Sequence, residues 1–505
     1  MRYFVITCLA LTLLLLSMIS IADAKDPLLF TLDGSSFNQQ RGRAVAGAGD
    51  VNNDGYDDII VGAPYVGQTN FTGMAFVYSG KTRELLYQFE GEGLQDEFGR
   101  SVSAAGDVNS DGYADIIIGA AHNDAMGENA GRVYVYSGLD GQVLHILDGE
   151  NTADLFGRRV SSAGDANGDG YADFLVGAPG NDDVAIGAGK AYIYSGKTGE
   201  IIHTFVGENE YDEFGRTLSF AGDVDADGFG DVIIGAWKYS GLLEMGGRAY
   251  VYSGRTGAVI HVFDGEAVGD YLGRAVSSAG DVNNDGYDDL LLGTPFNDKA
   301  GSGAGKVYVF SGKTGSALYT FTGKAEHLGL GISVSSVGDI NGDGYDDVAA
   351  GAYGSLSPDI NLGSSYIYSG KDGHIVMSFE GERKYDAYGQ AIAGAGDVNG
   401  DGLADIIVGA YNHDVIESGT FYANGGRSYV YSYCCVGNRG DVNNDDGNAN
   451  ILDLTYIVDF IFRGGESAIC SPEADINGDT NSSNILDLTF LVDFIFRGGP
   501  APGPC

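Results

Sequence analysis

The chain has 505 residues, 82 of them Gly and only 9 Pro, with 44% hydrophobic residues and a formal net charge of −42. That hydrophobic content excludes disorder, and the Gly content points to tight turns between short strands. The acidity excludes nucleic acid as a partner, because phosphates would be repelled, and favours metal cations. The length exceeds what one ordinary core serves, so two or more domains are expected.

Met1 and Arg2 lead into an apolar run that reaches Ile19 and ends at Ala22-Asp23-Ala24, the pattern of a signal peptide with a small-residue cleavage site. Residues 1–24 are therefore expected to be removed, leaving a secreted chain that starts at Lys25. No later apolar stretch is long enough to span a bilayer. Cys434, Cys435, Cys470 and Cys505 all lie near the C-terminus. An oxidising compartment predicts two disulfides among them, with the connectivity open.

Leu28 to Leu32, followed by Asp33-Gly34, reads as an isolated strand. From Ala44 onward one unit recurs seven times. Its acidic loop begins at Asp50, Asp107, Asp165, Asp223, Asp281, Asp339 and Asp397, a spacing of 57 residues once and 58 residues five times. The second copy shows the parts: a small-residue strand from Ser101 to Gly106, the loop Asp107 to Asp115, and a strand from Ile116 to Ala120. After a variable segment come a third strand within Gly131 to Gly138 and a fourth from Val143 to Gly149. Four short strands per repeat, joined by Gly-rich turns, make a propeller blade. The expected fold class is thus all-β, a seven-bladed β-propeller over residues 25–433, with a small α-helical calcium-binding domain over residues 434–505. A β-solenoid competes, but its coils are much shorter than this unit. The seventh unit runs from Tyr429 to Ser432 straight into Cys434 without a fourth strand. The N-terminal strand is expected to complete it and so close the ring, which would otherwise keep an unpaired edge.

Each loop follows Asp-x-Asn-x-Asp-Gly-x-x-Asp. Side chains at alternate positions of such a turn converge, and calcium takes about six to eight oxygens from carboxylates and carbonyls. Asp, Asn and Gly also favour turns on their own, but seven copies with the spacing intact favour a metal. The expected ligands are Asp50, Asn52, Asp54 and Asp58 in the first loop and Asp107, Asn109, Asp111 and Asp115 in the second. The third offers Asp165, Asn167, Asp169 and Asp173, and the fourth Asp223, Asp225, Asp227 and Asp231, with Asp225 in place of Asn. The last three offer Asp281, Asn283, Asp285 and Asp289; Asp339, Asn341, Asp343 and Asp347; and Asp397, Asn399, Asp401 and Asp405. Seven divalent ions would offset a third of the net −42.

Strand direction alternates within an antiparallel blade, so the loops between second and third strands lie on the face opposite the acidic loops. That face collects Tyr65, His122, Trp237, Lys238, Tyr239, Tyr353, Tyr411 and His413. Exposed aromatics on loops of a rigid scaffold are expected to contact a ligand, with Tyr65, His122, Trp237, Tyr239, Tyr353 and Tyr411 as the candidates. Taken singly, each also reads as a packing residue. No nucleophile with a base, acid pair or open metal site is legible, so no enzyme is expected.

The repeats resemble the FG-GAP repeats of the integrin α-subunit head. Phe98-Gly99, Phe156-Gly157 and Phe214-Gly215 carry the first half of the motif, and Gly62-Ala63-Pro64 and Gly177-Ala178-Pro179 the second. The resemblance covers residue 25 to about residue 433. It implies a seven-bladed propeller with calcium in these loops and a face that binds partner proteins. No inserted adhesion domain, leg domain or membrane helix is legible, so the likeness is to the module.

Residues 441 to 463 and 475 to 497 form a duplicate. Asp441, Asn443, Asp445 and Asp453 match Asp475, Asn477, Asp479 and Asp487 as ligands for about two further calcium ions. Leu454, Ile457, Val458, Ile461 and Phe462, and again Leu488, Leu491, Val492, Ile495 and Phe496, carry the apolar stripe of a helix. Tyr456 and Phe460, with Phe490 and Phe494, add a second stripe, read either as a docking surface or as part of a small core. A calcium loop followed by a helix, twice over, resembles a type I dockerin, which implies a cohesin-like partner and assembly with other secreted proteins. Asp446 and Thr480 are insertions relative to that pattern, and Ile451-Leu452 and Ile485-Leu486 stand where it has its partner-reading pair.

These readings imply a secreted or cell-surface calcium-binding adhesion or interaction protein. Its propeller would bind an extracellular protein or polysaccharide, and its C-terminal module would dock it to another surface or assembly. The alternatives are a non-catalytic carbohydrate-binding component of an extracellular polysaccharide-degrading complex, and a hydrolase or lyase that uses the variable face.

Overall fold

Middle strands in this chain carry unbroken apolar runs, whereas outer strands alternate, and this difference places each strand in the fold. In the second repeat β7 (Asp115–Ala120), Asp-Ile-Ile-Ile-Gly-Ala, is buried at every position, so both of its faces are covered. β6 (Ser101–Gly106) is built of Ser, Val, Ala and Gly, small enough for the crowded axis. β8 (Arg132–Tyr136) follows, and β9 (Val143–Asp148) alternates between half-buried and exposed residues at the rim. The four pair antiparallel in sequence order, with Val102 opposite Ile118 and Ile118 opposite Tyr134.

The structure, a computed structural model, describes residues 27–65, 72–241, 243–354, 362–417, 419–433, Leu454, Val458 and 485–497. Within Leu29–Tyr431 the arrangement recurs as seven four-stranded sheets, a seven-bladed β-propeller. Its core lies between neighbouring blades. Ile60 and Val77 of the first blade pack with Ile116, Ile118 and Tyr134 of the second. Ile59 and Val61 pack on the other side with Val398, Ile407 and Val430 of the seventh. Each fully buried branched side chain stabilises by about 1.5–3 kcal/mol.

The expected closing strand is present. β1 (Leu28–Asp33) pairs with β30 (Arg427–Ser432), beside β27 (Asp405–Ala410) and β26 (Tyr388–Gly396), so the chain's first strand is the outer strand of the last blade. A side-chain pair confirms the equivalence. Arg132 at the start of its third strand grips Asp148 at the end of the fourth with two bonds of 2.6 and 3.1 Å. Arg248 does the same to Asp264. Arg427 grips Asp33 at 2.5 and 2.8 Å, across 394 residues.

Phe98, Phe156 and Phe214, the aromatic half of the repeat motif, are fully buried. Each forms a parallel bridge to the glycine that opens the third strand of the preceding blade, as Phe98 does to Gly73. Phe156 also meets Tyr192 and Tyr194 edge-on, at 5.8 and 6.1 Å. Phe156→Ala is expected to lower unfolding free energy by about 3–5 kcal/mol, read from urea denaturation. In the first blade Arg41 takes the phenylalanine position. It is buried, lies 3.9 Å over the Phe76 ring, and donates to Tyr78 and to the Asp33 carbonyl, so it ties down the closing strand.

One element is not anticipated by the repeat. The variable segment of the seventh blade contains a hairpin, β28 (Val415–Glu417) with β29 (Thr420–Tyr422). Of the C-terminal module the structure describes α1 (Ile485–Arg497), with Leu491 fully buried and Leu488, Phe490, Val492, Phe494 and Ile495 half-buried. Asp487, expected to close the second loop, falls in the first turn of this helix. The other expected ligands of that module, Asp441, Asn443, Asp445, Asp453, Asp475, Asn477 and Asp479, lie outside the described residues, as do residues 1–24 and the four C-terminal cysteines. No helix among the described residues is long and apolar enough to cross a membrane.

Candidate metal loops and the opposite face

Every inner strand delivers the chain to its acidic loop through a register irregularity just before the final glycine, as between Ala104 and Gly106. Such a bulge turns the chain and aims the next side chains. The leading Asp then organises the turn. Asp50 accepts the N–H groups of Asp54 and Gly55 at 3.0 and 2.8 Å, and Asp107, Asp165, Asp223, Asp281, Asp339 and Asp397 repeat this pair. The sixth position has φ near +86°, as at Gly55, with open space around its absent Cβ. Backbone conformation, not crowding, therefore requires glycine there.

The ninth-position acids behave differently. Asp58, Asp115, Asp173, Asp231, Asp289, Asp347 and Asp405 are all fully buried. Asp58 accepts N–H groups from Val51 and Gly80, both at 3.0 Å, and Asp115, Asp173, Asp231, Asp289 and Asp347 likewise accept an N–H just past the third strand, so these six acids pin their loops to its end. Burial pushes the Asp58 carboxyl up to about 7 and that of Asp115 to about 6, against the lowering effect of the N–H donors. Asn52 Oδ1 is buried without a hydrogen bond, and in the fourth loop Asp223, Asp225 and Asp227 bring carboxylate oxygens within 4.8 Å of one another. Orphaned amide oxygen, converging carboxylates and an all-oxygen donor set suit a hard divalent cation such as calcium.

Three further acids belong to this face and escape the ligand pattern. Asp57, Asp288 and Asp346, at the eighth position, reach the preceding blade and accept the N–H of Asp397, Asp223 and Asp281 at 2.8, 2.6 and 3.0 Å. The Asp-Asp doublets at 57–58, 288–289 and 346–347 were the legible signal.

The aromatics of the opposite face are half-buried rather than exposed, a correction to the sequence expectation. They are engaged by cations and acids. Tyr65 donates to Glu97 at 2.9 Å and accepts from Arg100 at 2.7 Å. Trp237 donates its indole N–H to Glu213 at 2.9 Å, with the Arg216 and Arg274 guanidiniums 5.3 and 5.5 Å from its ring. Lys238 pairs with the same Glu213 at 2.5 Å. Tyr411 lies 4.2 Å beneath Arg43. Trp237 and Tyr353 line one cavity of about 530 Å³ together with Tyr271, Phe296 and His327. Tyr239 sits apart under Arg248, and His122 bonds Asn129 at 2.7 Å. His413, bonded to buried Asp386 at 2.6 Å, stands where Asn123 and Asn181 bond Asp96 and Asp154 in other repeats, so it is a packing residue.

The sequence reading overlooked the arginines of this face. Arg43, Arg100, Arg158, Arg216 and Arg274 recur with the repeat, each just after a glycine and before the inner strand.

The repeat family described as FG-GAP repeat matches residues 41–78, 98–136, 156–194, 272–310, 331–368 and 388–431. The stretch between the third and fourth matches holds the fourth loop with Asp225, and Trp237. Among curated relatives, Integrin alpha-5 of Xenopus laevis is 32% identical over 231 residues, 42% of this chain and 21% of the relative. Integrin alpha-V of Gallus gallus is 34% identical over 212 residues, 39% of this chain and 20% of the relative. Integrin alpha-PS5 of Drosophila melanogaster is 34% identical over 185 residues, 32% and 17% respectively. The chain thus matches about a fifth of the length of these relatives. Six of the seven blades, all but the fourth, thus match the FG-GAP repeat, and the propeller is similar in sequence to part of the integrin α chains named above.

Proposed function

We propose that this chain is a secreted, non-catalytic interaction protein of the adhesion type, with calcium in its seven propeller loops. Its partner, an extracellular protein or glycan, binds the face opposite those loops. The observation that carries the reading is the sevenfold repetition of loops whose ninth acid is fully buried among oxygen donors, in a propeller similar to integrin α chains. The signal peptide at 1–24, the dockerin-like domain at 434–505 with two more calcium ions, the disulfides and a cohesin-like partner complete the proposal. In it the C-terminal module docks the propeller to an assembly. A carbohydrate-binding role in a polysaccharide-degrading complex is favoured by one observation, the cavity lined by Trp237, Tyr271, Phe296 and Tyr353, since aromatic faces stack on sugar rings.

Capture of partners from the secretome of the source organism on immobilised chain, with calcium and with chelator, tests the reading. Calcium-dependent capture that Trp237→Ala weakens supports it, and capture indifferent to both overturns it. The fourth loop offers a narrower test. Burial and the neighbouring Asp227 carboxylate raise the Asp225 carboxyl above its ordinary range. Asp225→Asn should raise the melting temperature in chelator by removing one of three converging charges, and weaken calcium at that loop on the order of tenfold, read by calorimetric titration.

A further inference from the structure

The arginines that open the inner strands converge on the propeller axis. Arg43, Arg100, Arg158, Arg216 and Arg274 come from the first five blades, and Arg159 adds a sixth from the third. All six line one cavity of about 170 Å³. The acidic loops leave the far ends of these same strands, so the well opens on the face away from them.

Its charges are not balanced from within. Arg100 pairs with Glu97 at 2.9 Å and Arg216 with Glu213 at 3.0 Å. Among the described residues Arg43, Arg158, Arg159 and Arg274 make no ion pair with a carboxylate, although the chain has 70 Asp and Glu against 28 Lys and Arg. Burial, together with the Arg100 and Arg216 guanidiniums, pushes Arg158 below the ordinary arginine range, and burial with Arg216 and Arg159 does the same to Arg274. Arginine does not relieve such repulsion by losing its proton, so a counter-anion is the remaining route. Each planar guanidinium offers paired N–H donors matched to two oxygens of an oxyanion. In so acidic a chain, half-buried Arg43, Arg158 and Arg274 and exposed Arg159, gathered around one open well without carboxylate partners, are arranged for a ligand, because solubility is already secured by the acids elsewhere.

We propose that this axial well is an anion-binding site that takes one multiply charged oxyanion, sulfate or phosphate, either free or as an ester on a glycan. The second source rests on the reading that this face meets the partner. The Trp237 and Tyr353 cavity, on the same face, would hold neighbouring sugar rings.

Calorimetric titration of the calcium-loaded full chain tests this, with inorganic sulfate, inorganic phosphate, a sulfated oligosaccharide, its desulfated counterpart and an oligoglutamate peptide as probes. Saturable binding of one sulfate or phosphate per chain is expected, weakened about tenfold or more in Arg158→Gln/Arg159→Gln, in line with the loss of charged hydrogen bonds. In buffer free of polyvalent anions the same variant should melt no lower than the parent chain, because like-charge repulsion is removed. A lower melting temperature there would assign the arginines a structural role and overturn the proposal, as would the absence of saturable ion binding, or an unchanged affinity in both this variant and Arg274→Gln. Oligoglutamate binding without response to either ion also overturns it. Tighter binding of the sulfated oligosaccharide than of free sulfate places the ester in the well, and equal binding places the free ion there. Partner capture lost in Trp237→Ala but kept in the arginine variants, with no ion bound, would sink the well and leave the binding face standing. Ion binding with partner capture insensitive to every substitution on this face would do the reverse.

Discussion

Chelating calcium from the intact chain is expected to lower its melting midpoint by about 20 °C or more. A ligand held only by the folded state stabilises it by about 2.7 kcal/mol per site at a hundredfold excess over its dissociation constant, so the seven proposed sites, filled together, would contribute on the order of 10–20 kcal/mol. The acids themselves would supply the penalty on loss of the proposed metal. The seven ninth-position carboxyls are fully buried, and the leading acids cluster beside them. Thermal unfolding by circular dichroism, with calcium and with EGTA, reads the effect, and identical midpoints would remove calcium from the loops. The metal-free chain should also respond to pH with a defined sign. Burial raises the carboxyls of Asp58, Asp231, Asp289 and Asp347 from near 3.8 to about 7, so the folded state binds more protons than the unfolded one between these values. Stability in chelator therefore falls as pH rises from about 4 to about 7.

Removing residues 25–34 is the second large perturbation. It deletes β1, with buried Leu32 and half-buried Leu29 and Phe30 in the core between the first and last blades. It also strips Arg427 of Asp33 and exposes the whole edge of β30. Loss of the apolar burial alone costs about 4 kcal/mol, and the broken charged pair adds about 1–2 kcal/mol. The shortened chain should melt well below the full one and self-associate in sedimentation, since a bare edge strand pairs with copies of itself. A monomer with an unchanged midpoint would contradict the closure.

Much of this architecture is legible in the sequence. The repeat of about 58 residues fixes seven copies of one four-stranded unit, because each strand's pattern is local: small residues at the axis, an apolar run in the middle, alternation at the rim. The acidic loops were legible for the same reason, since Asp50, Asn52, Asp54, Gly55 and Asp58 lie within nine residues. The closing strand was legible because the seventh unit visibly lacks one.

What the chain alone did not show depends on contacts between repeats. Nothing in the spacing of Asp57 says that it caps Asp397, 340 residues away. Nothing in Trp237 says that it lies between Arg216 and Arg274 of successive blades, half-covered rather than exposed. Above all, Gly-Arg pairs that look like one more feature of a repeat become a shared cationic well only when the ring closes and the first residues of five inner strands meet at the axis. The sequence by itself determined the blade, its loops and the strand that seals it, because short-range pattern dictates those. Only the tertiary structure decided which charges face one another, because circular packing brings equivalent positions together across gaps that no local pattern records.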